Sequence, residues 1–274
     1  MSEPIARQCS TRTASRPRKV LTQVALAIAL ATLSAGILAA PALDHAKHRK
    51  KLIAGVSYVV PAYKPGAKFR TPEVIDTALA EDIARRLNLP LVTVRVETKA
   101  DIALMMLTER ARLPRSATII PTGFAAGPMA IMRSDTTIKS WDDLKGRKVC
   151  LSESGHYVGM PAAKYGAVEM VFKAPADALI AVRTGVCDAA VHDNTLLEEL
   201  IKLPEWKKFS ATLTTTQRAP LALIVPKVDT NTTTFLTQVV QDWMSSGYLE
   251  QLTKKAVQNI AFEVYLDQDV PDCH

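Results

Sequence analysis

Several kinds of chemistry are missing from this chain of 274 residues. Its histidines, His45, His48, His156, His192 and His274, are scattered, and its cysteines do not stand at metal-ligand spacing. No metal site is therefore expected. No nucleophile stands beside a base in a recognisable motif, which argues against catalysis. No segment repeats with a period of about 20–50 residues, which argues against a solenoid. No basic face is interleaved with aromatics, so nucleic acid is disfavoured as a partner. No cofactor motif is present.

What the chain does contain is apolar material for real cores. Hydrophobic residues make up 48% and charged residues 22%, an ordinary globular balance that argues against disorder. The length suits one large domain or two lobes of ordinary size.

Residues 1–42 have the layout of a secretory signal peptide. Arg12, Arg16, Arg18 and Lys19 form a basic region, Val24 to Leu38 is an apolar, alanine-rich run, and Ala40-Pro41-Ala42 supplies a small-residue cleavage site. Leu43 would then begin the exported chain. An uncleaved membrane anchor is the alternative, since the run is near spanning length. The processing site has no cysteine to carry a lipid. Removing the segment takes five basic residues and one acidic one, and lowers the formal charge from +7 to +3. A further basic cluster, Lys47 to Lys51, reads as a solvated leader.

Export would put the three remaining cysteines, Cys150, Cys187 and Cys273, in an oxidising compartment. The first two lie in apolar, strand-like runs, so neighbouring strands could bridge them. A Cys150–Cys187 disulfide is expected, with Cys273 left over near the terminus; two buried free thiols are the alternative.

Along the chain, helices and strands alternate. Lys51 to Val59 reads as a strand, and the Pro- and Gly-bearing stretch after it as a loop. Thr71-Pro72 reads as a helix start, with Thr as cap and Pro at the first helical position. Ile75, Leu79, Ile83 and Leu87 form one buried stripe, and Leu91 to Val96 is a second strand. This βαβ unit implies a parallel sheet. Asp101 to Leu107 is another buried run, leading to Arg110, Arg112 and Arg115. Ala117 to Phe124 reads as a loop and Pro128 to Arg133 as a strand. The strand Lys148 to Leu151 ends in Ser152-Glu153-Ser154-Gly155, which reads either as a capped turn or as a loop whose N–H groups hold an anion. Helices are also expected at 195–203, around Phe235 to Met244, and from Leu249 onward, with a strand at 221–225.

The organising stretch is Asp177 to Asp193. It reads as a helix stopped at Gly185, a buried strand over Val186 to Val191, and a carboxylate at the strand's end. Ligands of open α/β sheets bind at that edge. Asp193 is therefore either a ligand-binding group or the N-cap of the next helix.

Four segments, in this order and spacing, resemble the family-3 extracellular solute-binding proteins of amino-acid ABC transporters. They are VIDTALAEDIARRL (74–87), IKSWDDLKGRKVCLSESG (138–155), DALIAVRTGVCDAAVHD (177–193), and LALIVPK (221–227) with SSGYLEQL (245–252). The resemblance implies an α/β protein of the periplasmic binding protein-like type II fold, with two α/β lobes joined by two crossing strands. Lobe 1 would span 51–133 plus 223–274, and lobe 2 would span 134–222. It also implies a monomer in the periplasm that closes on a small ligand and delivers it to an inner-membrane ABC permease, without catalysis.

By the same resemblance Asp193 binds the ligand's ammonium. Arg115, or else Arg110, binds its carboxylate with help from Ser152, Ser154 and Gly155, and Tyr58 and Tyr63 supply stacking aromatics. The Cys150–Cys187 bridge falls where some members carry one. The family's aromatic Pro-Tyr pair is missing from TERARLPRSATIIPTGF (108–124). Two other roles on this fold remain open. One is an accessory protein of a periplasmic quinoprotein dehydrogenase. The other is a cyclohexadienyl dehydratase-like enzyme, for which Glu153, His156 and Asp193 would be the acid–base candidates.

Overall fold

The computed structural model describes residues 43–62, 64–66, 68–73, 75–108, 111–113, 115–226 and 229–267. The expected leader at 1–42, together with Tyr63, Arg110 and Cys273, lies outside the described residues.

Two five-stranded sheets organise the chain. The first contains β1 (Leu52–Val56), β2 (Leu91–Arg95), β3 (Ile102–Met106), β4 (Thr118–Ala126) and β10 (Ala219–Val225), in the order β2-β1-β3-β10-β4. The second contains β5 (Pro128–Met132), β6 (Lys148–Ser152), β7 (Val168–Phe172), β8 (Ala189–Asp193) and β9 (Ala211–Leu213), in the order β7-β6-β8-β5-β9. Within each sheet three neighbouring strands are parallel, and the fourth in order runs antiparallel to both its neighbours. The inner parallel strands β1, β3, β6 and β8 are mostly buried, as strands covered on both faces are, whereas the outer strands β2 and β7 are partly exposed.

The helices are α1 (Asp44–His48), α2 (Ile75–Arg86), α3 (Met160–Tyr165), α4 (Pro175–Arg183), α5 (Asn194–Leu200), α6 (Thr230–Ser246) and α7 (Tyr248–Leu266). Their ends follow local chemistry. Pro175 opens α4 at its first turn, and Gly185, at φ 77°, takes the left-handed position just past its end. The Asp229 carboxylate caps α6 by accepting from Thr232 N–H. Gly247, at φ 66°, then turns the chain from α6 into α7.

α2 and α6 pack on the first sheet, where Leu79, Ile83, Leu236, Val240 and Trp243 are buried with Leu52 and Leu104. α4 and α5 pack on the second, around Leu179, Leu197 and Trp206. The last helix straddles both cores. Tyr248, Leu249 and Leu252 lie against the first, whereas Val257, Ile260, Ala261 and Val264 enter the second. The stretch 223–274 was expected in lobe 1, but periodicity shows which face of a helix is apolar and not which sheet that face meets.

Three local expectations change. Residues 117–124, expected as a loop, form β4. Its inward residues Ile120, Thr122, Phe124 and Ala126 are buried, and among the described residues it pairs only with β10. An edge strand tolerates Pro121 and Gly123, which had suggested a loop. The buried strand expected at 186–191 is shifted to Ala189–Asp193, because Gly185 is followed by a bend before pairing with β6 begins. The segment after Leu43 is not a solvated leader. Leu43 and Ala46 are buried in the first core, and Arg49 bonds Asp101 at 2.5 Å.

Two segments cross between the sheets, one at Gly127 between β4 and β5, the other between β9 and β10. They touch at Gly127, where an added Cβ would stand 2.4 Å from the carbonyl oxygen of Gln217. Gly127 also exchanges hydrogen bonds with Asn194: its N–H donates to the Asn194 side chain, and its carbonyl accepts from Asn194 N–H, each at 2.9 Å. The crossing is thereby tied to the residue that follows Asp193. Cys150 and Cys187 form the expected disulfide, with Cα atoms 5.9 Å apart.

Candidate functional site

β8 delivers Asp193 to the carboxyl end of the second sheet. The backbone there turns directly into α5, yet the side chain does not cap that helix. Its Oδ1 accepts a 2.5 Å hydrogen bond from the Tyr157 hydroxyl. Asp193 is 5% exposed, and its Oδ2, which has no donor among the described residues, is not one of the buried unpaired atoms and so is open to solvent. The capping role weighed for Asp193 is therefore not the one its side chain performs.

A carboxylate from the first sheet's side of the molecule meets this strand end. Glu73, in the segment leading into α2, places Oε1 2.9 Å from Asp193 N–H and Oε2 2.9 Å from His192 Nδ1. Its own N–H donates to Ser154 Oγ at 3.0 Å. Oε2 also lies against Gly155, where an added Cβ would come within 3.2 Å of it. Glycine lets the loop and the carboxylate approach closely. Glu73, His192 and Asp193 are all buried.

Burial and the neighbouring Glu73 charge push the Asp193 carboxyl up to about 6. Burial also opposes ionisation of Glu73, but His192 and the Asp193 N–H outweigh it and hold that carboxyl below the usual range. The Tyr157 phenol is raised by burial and by Asp193, so it serves as a proton donor. His156 lies edge-on to the Tyr157 ring. His192 Nε2 is buried without a partner among the described residues.

In the loop after β6 the N–H groups of residues 153–155 all donate within the protein. Glu153 N–H donates to the Phe172 carbonyl, Ser154 N–H to Ser152 Oγ, and Gly155 N–H to the Ser152 carbonyl. The Ser152 and Ser154 hydroxyls bond each other at 2.7 Å. These bonds have the form of the capped turn, one of the two readings of this loop. Among the described residues it meets the protein's own Glu73, at Ser154 and Gly155.

The expected arginines that the structure describes are not in contact with this cluster. Arg115 is exposed on the turn before β4, and Arg112 is exposed nearby. Neither makes a hydrogen bond to the Asp193 cluster. Tyr58 is partly buried beyond β1, with its phenol raised by burial and by Glu153. Glu153 is exposed.

Sequence reading overlooked Glu73, Tyr157 and His192. Thr71-Pro72-Glu73 had the composition of a helix start. Instead α2 begins at Ile75, and Thr71 gives both its N–H and its hydroxyl to Glu263 of α7, at 2.9 and 2.6 Å. Beside it Arg70 bonds Asp177 of α4, with Nε 2.9 Å from Oδ1, and pairs with Asp267. The segment 68–73 is thus stitched to the second lobe and to α7. Two open hollows, about 260 Å³ beside Gly123 and Leu249 and about 410 Å³ beside Phe69 and Phe262, share no residue with the Asp193 cluster. Among the described residues no group of His, Cys, Asp and Glu is placed to hold a metal ion.

No protein-family model matches the chain. A probable amino-acid ABC transporter-binding protein of Haemophilus influenzae is 25% identical over 142 residues, which is 52% of this chain and 55% of that protein. The chain thus spans about half the length of the curated relative it matches. A mutant of ArgBP from T. maritima superposes with a TM-score of 0.56 at 23% identity, over 79% of this chain and 99% of that one. AbpA of Streptococcus pneumoniae, bound to L-arginine, gives 0.55 at 17% identity, over 80% and 99%. The ancestral amino-acid-binding protein AncCDT-1, a precursor of cyclohexadienyl dehydratase, gives 0.54 at 22% identity, over 78% and 99%. These likenesses establish the fold, two α/β lobes of the type II periplasmic binding architecture.

Proposed function

We propose that this protein is a non-catalytic solute-binding protein. It captures a small polar, amino-acid-like ligand between its two lobes and hands it to an inner-membrane ABC permease. The observation that carries this reading is Asp193, a buried carboxylate at the carboxyl end of a parallel strand, facing the other lobe, with one oxygen lacking a donor among the described residues. Such an edge is where open α/β sheets take ligands, and a ligand ammonium would supply that donor. The partial match to an amino-acid ABC transporter-binding protein supports the same class. Export through the leader at 1–42, a periplasmic location and a monomeric state belong to this proposal.

A ligand enters only if the lobes separate, because Glu73 lies against Asp193. Closure around the solute would follow hinge motion at Gly127 and the second crossing segment. Thermal-shift screening of the purified protein against amino acids, amines and organic acids tests the reading. A specific solute at a hundredfold excess over its Kd raises apparent stability by about 2.7 kcal/mol, and Asp193→Ala abolishes the shift. No shift with any solute would contradict it.

One observation favours a second reading. A carboxyl raised to about 6 beside a protonated tyrosine suits a general acid, and one structural neighbour is a precursor of a dehydratase. Turnover of prephenate or arogenate that is lost in Asp193→Asn would establish it.

A further inference from the structure

We propose that the ligand is a small organic amine or guanidine that needs no carboxylate, gripped by its cationic group between Asp193 of the second lobe and Glu73 of the first. The inference rests on the reading of this cleft as the binding site and narrows what the site accepts.

The first argument concerns anions. A ligand carboxylate needs unpaired donors, and the loop that would give them has none among its central N–H groups. Those of Glu153, Ser154 and Gly155 all donate within the protein. Arg112 and Arg115 are exposed and do not contact the cluster. The two donors that do hold a carboxylate, Asp193 N–H and His192 Nδ1, already hold Glu73. When the lobes close, an arriving anion would have to compete with Glu73 for those two donors, and would meet Asp193 as well.

The second argument concerns cations. Asp193 and Glu73 are 5% and 8% exposed, and no lysine or arginine among the described residues lies within ion-pair distance of either. Asp193 Oδ2 lacks any donor among the same residues. A buried carboxylate is costly unless it is paired, and here the two acids oppose each other. An ammonium or guanidinium between them would relieve that repulsion and supply the missing donor. The groups that act most strongly on the two acids are His192, His156 and Tyr157, and the nearest permanent positive charge seen at this edge is Arg95, which acts on Tyr58 beside Glu153. Among the described residues no group of three or more His, Cys, Asp and Glu is placed to hold a metal ion, and the proposal is accordingly of an organic cation.

Isothermal titration at pH 7.5 tests the proposal with three matched pairs: agmatine and arginine, putrescine and ornithine, cadaverine and lysine. At least one amine is expected to bind no more weakly than its parent amino acid. Glu73→Gln and Asp193→Asn should each weaken it about tenfold or more, a loss of about 1.4 kcal/mol or more. Circular dichroism would verify that both variants fold, and the comparison within each pair needs no variant. An amino acid that binds about tenfold more tightly than its amine would overturn the inference and leave the solute-binding reading intact. Binding of only neutral or acidic amino acids would do the same. Failure of every solute would overturn both.

Discussion

The two lobes share one strand layout and differ in what stands at its edge. In each sheet the third strand in order has five residues, is parallel to its inner neighbour, and lies beside the antiparallel strand. In the first sheet it ends in Met106, whereas in the second it ends in His192-Asp193. The first lobe answers with Glu73, which comes from a loop and not from a strand end. A repeated scaffold therefore need not repeat its chemistry. The lobes are also stapled differently. The second carries the Cys150–Cys187 bridge. The first pins α2 to α6 through Asp82, which pairs with Arg86 and accepts from Trp243 Nε1 at 2.7 Å.

The staple offers the largest effect. The bridge closes a sequence separation of 37 residues, which corresponds to about 4 kcal/mol of denatured-state entropy. Cys150→Ala with Cys187→Ala should lower stability by roughly that amount. Trp206 in the second core and Trp243 in the first provide separate fluorescence reports once each is retained alone by Trp→Phe changes. The second lobe is expected to melt first in the bridge-free protein. Coincident melting would show that α7, which enters both cores, couples the lobes more strongly than the bridge stabilises one.

The acidic pair comes next, and the two acids have opposite signs. The Asp193 carboxyl is raised, so protonation favours the fold, and stability from this group rises as pH falls from about 6 toward its ordinary value of 3.8. Charged and unliganded Asp193 thus costs on the order of 1–3 kcal/mol above pH 6. Asp193→Asn should stabilise the empty protein by that amount at pH 7.5, and the gain should shrink as the pH approaches 4. Glu73 is depressed, so its contribution is present above the ordinary carboxyl range and is lost as pH falls through its lower folded value. Glu73→Ala strips the partner from His192 Nδ1 and from Asp193 N–H, and should cost about 1–3 kcal/mol. Urea melts of the two variants between pH 4 and 8 would separate the signs. A destabilising Asp193→Asn at pH 7.5 would break the account of this pair.

The smallest effect is expected at Arg115. An exposed side chain with no contact to the site should change stability by no more than about 0.5 kcal/mol on truncation, and leave ligand affinity unaltered. A large loss of affinity in Arg115→Ala would restore to the first lobe the carboxylate-binding role that the resemblance implied.

These contrasts also show what was legible in the chain. The helix–glycine–strand–acid pattern of 177–193 pointed to Asp193, because a lone acid closing a buried parallel strand stands at the edge where α/β sheets take ligands. The disulfide was legible because both cysteines lie in apolar runs of one lobe. Strand β4 was hidden by Pro121 and Gly123, which an edge position permits. Glu73 was hidden because Thr-Pro-Glu before an apolar stripe is what a helix start looks like. Its actual role depends on a contact about 120 residues away, and no local pattern encodes that. Arg115 was nominated by resemblance, in the stretch where the family's aromatic Pro-Tyr pair is missing.

The central claim is that the acid at the end of β8 is where this protein takes hold of its solute. Titration of the native protein and of Asp193→Asn with the same amines and amino acids at pH 7.5 tests it most directly. The account predicts saturable binding to the native protein and none, at matched concentrations, to a variant that is folded and no less stable. Binding retained in Asp193→Asn would contradict it.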